Sequence, residues 1–303
     1  MITVVGSLNM DLIIEVPRFP SPGEAISGRH FRRAAGGKGA NQAYAVARMG
    51  QACAMIGAVG ADEFGKEMLV NLNTVGINTT GILVMPGTAS GTAMILIDGA
   101  GQNQIALAPG SNGSLTAADI VAQKQLIQQS RALIAQLEST LVATETALRL
   151  AREAGVLTVL NPAPAGTVND SLLRLADWII PNEVEAQQLT NVPVSNPLSA
   201  GGAARILRNR SGNANIAITL GAQGVWLDTP PFTGHVPGFI ATAVDTVGAG
   251  DTFIGAFVAR LVEGATPKDA AYFGCAAAAI SVTRRGSQAS IPSRAEVESA
   301  LAS

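Results

Sequence analysis

Asp251 stands in DTVGAGDTFIGAFVARLVEG, residues 245–264, directly after the turn Gly248-Ala249-Gly250. The apolar residues that follow, Phe253, Phe257 and Leu261, recur at helical spacing. A helix starting there leaves its first backbone N–H groups unpaired and puts the positive end of its dipole beside Asp251. The chemistry that fits is phosphoryl transfer: the turn amides hold charge spread over the moving oxygens, while an ionised Asp251 accepts a hydroxyl proton. An Asp at a helix start is also an ordinary N-terminal cap, and this segment alone leaves both uses open.

Four other segments carry groups of interest. AAGGKGAN, residues 34–41, has three glycines in four positions before a helix, so backbone can approach a hydroxyl-rich ligand closely with Lys38 and Asn41 aimed into it. A surface turn is the alternative. GSLNMD, residues 6–11, reads as the end of the first strand, where Asn9 and Asp11, at period two, share one face and could orient a polyol; a polar turn explains them equally. PNEVE, residues 181–185, places Asn182 and Glu185 three apart at a helix start, which suits an outer partner for magnesium or, alternatively, a capping box. ITLGAQGVW, residues 218–226, is a strand running into a glycine turn, consistent with a loop beneath a nucleotide.

Other chemistries lack their residues. Lys38 is followed by Gly39, and Arg32 stands where a P-loop needs its first glycine. No GxGxxG lies between a first strand and its helix, and His30 and His235, the two histidines, form no Ser/His/Asp or HExxH pattern. Cys53 and Cys275 each sit in an apolar stretch and read as buried small hydrophobes. The 20 Lys and Arg are scattered against 22 Asp and Glu, which disfavours nucleic acid. MITVVGSLNMDLIIEV alternates and carries Asp11 and Glu15, so it is read as a strand rather than a leader, no apolar run is of spanning length, and a cytoplasmic location is expected.

The elements that must position these groups show in the hydropathy pattern. β-branched runs at 3–7, 53–60, 132–137, 157–161, 178–182 and 215–221 read as buried strands, and stretches 41–50, 64–76 and 146–155 as helices ending on Gly50, Gly76 and Gly155. Their alternation predicts an α/β fold with a mostly parallel sheet between helices. Residues 12–37 and 90–112 break the rhythm, the latter as a hairpin through GAGQ; they predict a small β lid, from about 10–36 and 90–108, within a single domain over 1–303.

Taken in order, the segments GGKGANQAYAVARMG (36–50), QLES (136–139), NPAPAG (161–166), PNEVEA (181–186), ITLGAQGVW and DTVGAGDTFIGAF (245–257) resemble the ribokinase (PfkB-type carbohydrate kinase) family, across essentially the whole chain. The resemblance implies a three-layer fold and ATP-dependent phosphorylation of a sugar hydroxymethyl, ribose O5 foremost; 2-deoxyribose, fructose or a nucleoside are rival substrates, and a non-catalytic sugar-binding protein is the rival class. It implies Asp251 as base and Gly248, Ala249 and Gly250 as anion hole. Asn9, Met10, Asp11, Gly37, Lys38, Gly39, Ala40, Asn41 and Glu138 would bind the sugar. Asn182, Thr219, Leu220, Gly221, Ala222, Gln223 and Gly224 would line the ATP site, with Gly250 at its phosphates and Cys275 beside the adenine. Glu185 is linked to magnesium. A monovalent cation, potassium, would take side-chain oxygens of Asp245 and Ser290 and carbonyls of Val247, Ser281, Arg284 and Gly286. A homodimer through the lid is expected, since an exposed sheet face invites a second copy.

Overall fold

In a computed structural model, which describes residues 1–166 and 168–302, the chain opens with β1 (Ile2–Val5), β2 (Asn9–Glu15), β3 (Arg29–Gly36), α1 (Lys38–Arg48), β4 (Cys53–Gly60), α2 (Glu63–Thr74) and β5 (Asn78–Met85). It continues through β6 (Gly91–Ile97), β7 (Asn103–Ala108), α3 (Ala117–Ala122), α4 (Lys124–Gln128), β8 (Ala132–Ala135), α5 (Leu141–Glu153), β9 (Leu157–Leu160), α6 (Asp170–Leu173), β10 (Trp178–Ile179), α7 (Glu183–Thr190) and α8 (Pro197–Ser211). β11 (Asn215–Thr219), β12 (Val225–Thr229), β13 (Phe232–Val236), α9 (Ala249–Val262), α10 (Pro267–Ser281) and α11 (Arg294–Ala302) complete it. Ser303, the end of the expected domain, lies outside the described residues.

The large sheet has the order β13-β12-β11-β10-β9-β8-β1-β4-β5, parallel from β11 to β5 and antiparallel at β12 and β13. Its inner strands are buried on both faces, whereas the edge strands β5 and β13 are partly exposed, and period-two alternation sorts the inner side chains into two cores. Val4, Met55 and Ile134 face the layer that holds Val46, Met68, Phe253 and Phe257 of α1, α2 and α9. Val5, Ile56, Leu133 and Ala135 face the other, with Ala147, Leu150 and Leu207 of α5 and α8. The three-layer α/β/α arrangement follows.

The second sheet, β3-β2-β6-β7, is the expected lid. β6 and β7 form the hairpin read at 90–112, Ile97 pairing with Asn103 across the 98–102 turn. One reading is corrected here: β1 ends at Val5, so Asn9 and Asp11 do not close the first strand but open β2, the first lid strand, beside β6. The helices expected at 41–50, 64–76 and 146–155 begin earlier, at Lys38, Glu63 and Leu141. Asp62 and Thr140 cap the last two with side-chain oxygens, which places their starts ahead of the apolar repeat. No helix among the described residues is long and apolar enough to cross a membrane.

Candidate active site

The chain leaves β1 toward β4 on one side and returns to β8 on the other, so strand order reverses between β1 and β8. The crevice beyond the carboxyl ends of parallel strands at such a point is where ligands bind in open α/β sheets. Ser7 follows β1 there, Gln136 and Glu138 follow β8, Asn161 follows β9, and Asn182, after β10, pairs with Thr219, the last residue of β11. The lid hangs over this edge because β2 starts four residues after β1 ends.

Asp251 is the third residue of α9 and is buried, 7% exposed. Gly248 precedes the helix with φ of 78°, a left-handed conformation that favours glycine. Among the described residues, the N–H groups of Gly250 and Asp251 have no protein acceptor, whereas that of Ala249 reaches Thr246 O at 3.3 Å. The N–H of Gly248 likewise has no acceptor among the described residues, so of the three residues that the resemblance implies only Ala249 has its donor taken. Both oxygens of Asp251 are held: Asn41 Nδ2 donates to Oδ2 at 3.0 Å and Gln42 Nε2 to Oδ1 at 2.9 Å. Burial raises its carboxyl above the ordinary range, opposed by Lys38 and these two amides and reinforced by Glu138.

Gly255 explains how α1 reaches Asp251. A Cβ there would lie 2.4 Å from Ala45 Cβ and 2.9 Å from Gln42 O, so only glycine allows the two helices to approach this closely. Gly255 is one turn beyond Asp251, and the contact sets Asn41 and Gln42 against the carboxylate.

On the lid side, Asn9 and Asp11 do share a face. Asn9 Oδ1 accepts from Asn112 Nδ2 at 2.8 Å, and Asn112 also bonds both the N–H and the carbonyl of Leu8, which fixes how β2 leaves β1. Asp11 is 8% exposed; burial, then Glu138 and Asp251, lift its carboxyl to about 7, with Arg32 pulling the other way. Met10, between them, is fully buried with its side chain in the core, on the face of β2 opposite to Asn9 and Asp11. Gly37 (φ of 89°) and Gly39 bring the start of α1 onto β1: a Cβ on Gly39 would stand 2.7 Å from Ser7 N. Ala40 N–H bonds Ser7 O at 2.9 Å, and Glu138 Oε2 accepts from Ser7 Oγ at 2.7 Å and from Lys38 N at 3.1 Å. Burial works against the Lys38 ammonium, but Asp251, Glu138 and Glu185 outweigh it and hold its pKa above the ordinary lysine value. One cation thus faces a ring of carboxylates, a charge pattern suited to hydroxyls on one side and phosphate on the other.

Asn182 and Glu185 form the capping box, Oδ1 accepting from Glu185 N at 2.8 Å and Oε2 from Asn182 N at 2.9 Å. Among the described residues no group donates to Glu185 Oε1, and burial lifts this carboxyl above its usual range. Gly221, Ala222 and Gln223 are an exposed 3-10 turn, closed at Gly224, whose φ is 96°. His235 holds that turn through Gln223 O at 2.6 Å. Leu220 points into one core, and Cys275, 6% exposed, into the other, buried as its apolar stretch predicts.

The expected cation loop is stitched to the segment before α9. Asp245 Oδ1 accepts from Val247 N at 3.0 Å and Oδ2 from Gly286 N at 2.9 Å, while Val282 O takes the N–H groups of Val244 and Asp245. Ser290 Oγ donates to Ser287 O at 2.8 Å; Ser281 O already accepts from Arg284 N at 3.0 Å. A cavity of about 850 Å³ opens beside this loop, between the lid tip at Glu15, Arg29 and Arg32 and residues 243–247. It adjoins the crevice holding Asp251 rather than containing it.

The model of the pfkB family of carbohydrate kinases matches residues 1–294. The chain belongs to the pfkB carbohydrate kinase family. Ribokinase from Haemophilus influenzae is 44% identical over 295 residues, 97% of this chain and 96% of that one. Deoxyribokinase from Salmonella typhi is 37% identical over 293 residues, 96% of this chain and 95% of that one. The structure of Arabidopsis thaliana ribokinase complexed with ribose and ATP superposes with a TM-score of 0.91 at 28% identity, covering 99% and 98% of the two chains.

Four polar residues of this pfkB kinase escaped the sequence reading. Gln42, Gln136, Asn161 and Gln288 are all buried and join Asn41 and Asp251 in one network. Buried amides at helix starts and strand ends were the available signal, since such groups are rarely left without partners.

Proposed function

We infer that this chain is an ATP-dependent kinase that phosphorylates D-ribose at its O5 hydroxymethyl, giving D-ribose 5-phosphate and ADP. The observation that carries the reading is a buried Asp251 held on both oxygens by amides, one residue after an open N–H of Gly250. Ribose lies between Asn9, Asp11 and Glu138, its O5 against Asp251, which removes the hydroxyl proton as the O–P bond forms. The bond from the γ-phosphorus to the bridging oxygen breaks, and ADP leaves with that electron pair. Lys38 and the open amides of α9 stabilise the charge spreading over the transferred group. Thr219 to Gly224 and Asn182 line the nucleotide side, and the lid keeps water, a competing acceptor, away.

Glu185, with a free oxygen beside Lys38, fits an outer partner for magnesium, which when bound neutralises phosphate charge. Asp245 and the carbonyls of the 284–290 loop offer oxygen donors alone, which fits potassium. The unit spans the whole chain as one cytoplasmic kinase domain with its lid. A coupled ADP-release assay over ribose, 2-deoxyribose, fructose and a nucleoside, with and without potassium, tests the reading. We expect ribose to be preferred over 2-deoxyribose by about tenfold or more in kcat/KM, since a polar site loses bonds when a hydroxyl is missing. Turnover of none of these sugars sinks the enzyme, and equal rates without potassium sink the cation site.

The lid also supplies a dimer surface. The edge strand β7 is exposed at all six residues, Ile105 and Leu107 each at 52%; Met94 is exposed on the adjacent β6, and Phe31 on β3 at the other edge of the lid sheet. Sedimentation of the full chain should give two copies, and Ile105→Glu should give one; a monomeric parent removes the proposal.

A further inference from the structure

An asparagine amide can turn either end to a neighbour, and only its Nδ2 end is favourable toward a carboxylate. Asn41 presents Nδ2 to Asp251 Oδ2 at 3.0 Å, leaving Oδ1 on the far side. There it accepts from Gln288 Nε2 at 3.1 Å. Gln288 is 4% exposed, and its own amide is set in turn by Asn71 of α2, whose Nδ2 donates to Gln288 Oε1. The relay runs from α2, through the 287–290 turn, to α1 and then to Asp251 on α9. The turn is itself pinned, Ser290 Oγ bonding Ser287 O at 2.8 Å and Ser287 Oγ bonding Ala35 O of the lid at 3.2 Å.

The other oxygen of Asp251 is served differently. Gln42 is oriented from two directions: Gln136 Nε2 donates to its Oε1 at 2.6 Å, and its Nε2 also reaches Asn161 Oδ1 at 3.1 Å. Asn161 is anchored to a backbone carbonyl, that of Ile180, at 2.8 Å. Among the described residues, Asn41 has a single partner besides Asp251, Gln288.

We propose that Gln288 is a positioning residue for phosphoryl transfer, which, without touching Asp251, fixes the end of Asn41 that meets the base. The proposal rests on the reading of Asp251 as that base. Without Gln288, Asn41 loses the bond that holds Oδ1 outward and spends part of its time turned round, oxygen against carboxylate. Lys38, Glu138, Asp11 and Glu185 are the charged groups that face Asp251, and none of them lies on this relay.

Gln288→Met keeps the side chain's length and removes the amide. Expected are a fall in kcat of about tenfold, from weakening one charge-assisted hydrogen bond, and KM values for ribose and ATP within about twofold of the parent. The acid limb of the kcat profile should move to higher pH, because a donor that favours ionised Asp251 is lost. Asn71→Leu, outside the crevice, should move the limb the same way by less, and it carries the test if Gln288→Met does not fold by circular dichroism. An unmoved acid limb in whichever variant folds overturns the proposal, as does a raised ribose KM with unchanged kcat. If Asp251→Asn is inactive while Gln288→Met matches the parent, only the relay is wrong; if Asp251→Asn is active, the base assignment is wrong.

Discussion

Asp251→Asn is expected to lower kcat by about 10²- to 10⁴-fold while KM for ribose and ATP stays within about threefold, the span that general-base removal produces. Asparagine has nearly the shape of aspartate, so the crevice keeps its form, but it accepts no proton from O5. Asn41 and Gln42 both aim N–H groups at residue 251, so one of them must meet an amide NH₂ in the variant. That mismatch costs stability, while removal of a buried charge restores some, since burial already disfavours ionised Asp251. Thermal unfolding should therefore change little beside the loss of rate. Steady-state kinetics with both substrates varied checks this, and turnover within about fivefold of the parent would remove Asp251 from the chemistry.

Asp11→Asn should weaken ribose binding by about 10- to 100-fold in KM, as expected where charge-assisted bonds to hydroxyls are lost, and yet make the protein more stable at alkaline pH. The carboxyl is carried from an ordinary 3.8 to about 7 by burial and by Glu138 and Asp251, so the fold favours its neutral form. The stability that Asp11 contributes is full below pH 4 and is lost as pH rises through about 7. Removing the charge should return about 4 kcal/mol at pH 8 and only about 0.5 kcal/mol at pH 4. In the parent, ribose KM should fall as pH rises past 7, because the ionised carboxylate accepts from two hydroxyls. Thermal melts of both proteins without sugar at the two pH values test this; a gain independent of pH would show that burial of the charge is not its source.

The Asp11 prediction places function against stability. Glu138, Glu185 and Asp251 act on Lys38, and burial first, with neighbouring carboxylates adding to it, lifts Asp11, Glu185 and Asp251 above their usual range.

Local pattern was enough for much of the molecule. The β-branched runs, their alternation with helices and the 98–102 hairpin turn are written in neighbouring residues, and so is the glycine turn before Asp251. Two other features depended on details that periodicity does not carry. Apolar spacing marks the face of a helix but not its first residue, so α1, α2 and α5 began before their predicted starts, where caps and Gly37 set the boundary. Asn9 and Asp11 kept the shared face that period two requires, yet belong to the lid, because the chain turns at Gly6–Leu8 under bonds from Asn112, about a hundred residues away.

Asp251 itself shows where the division lies. The sequence by itself determined that a carboxylate stands at a helix start behind glycines, which a cap explains as well as a catalyst does. Only the tertiary structure decided that its oxygens receive Asn41 and Gln42 rather than water, because Gly255 lets α1 touch α9 and because Gln136, Asn161 and Gln288 arrive from three distant segments to orient those amides. Hydrogen bonds across more than two hundred residues leave no period in the chain; they exist only once both cores have packed and brought the helices together.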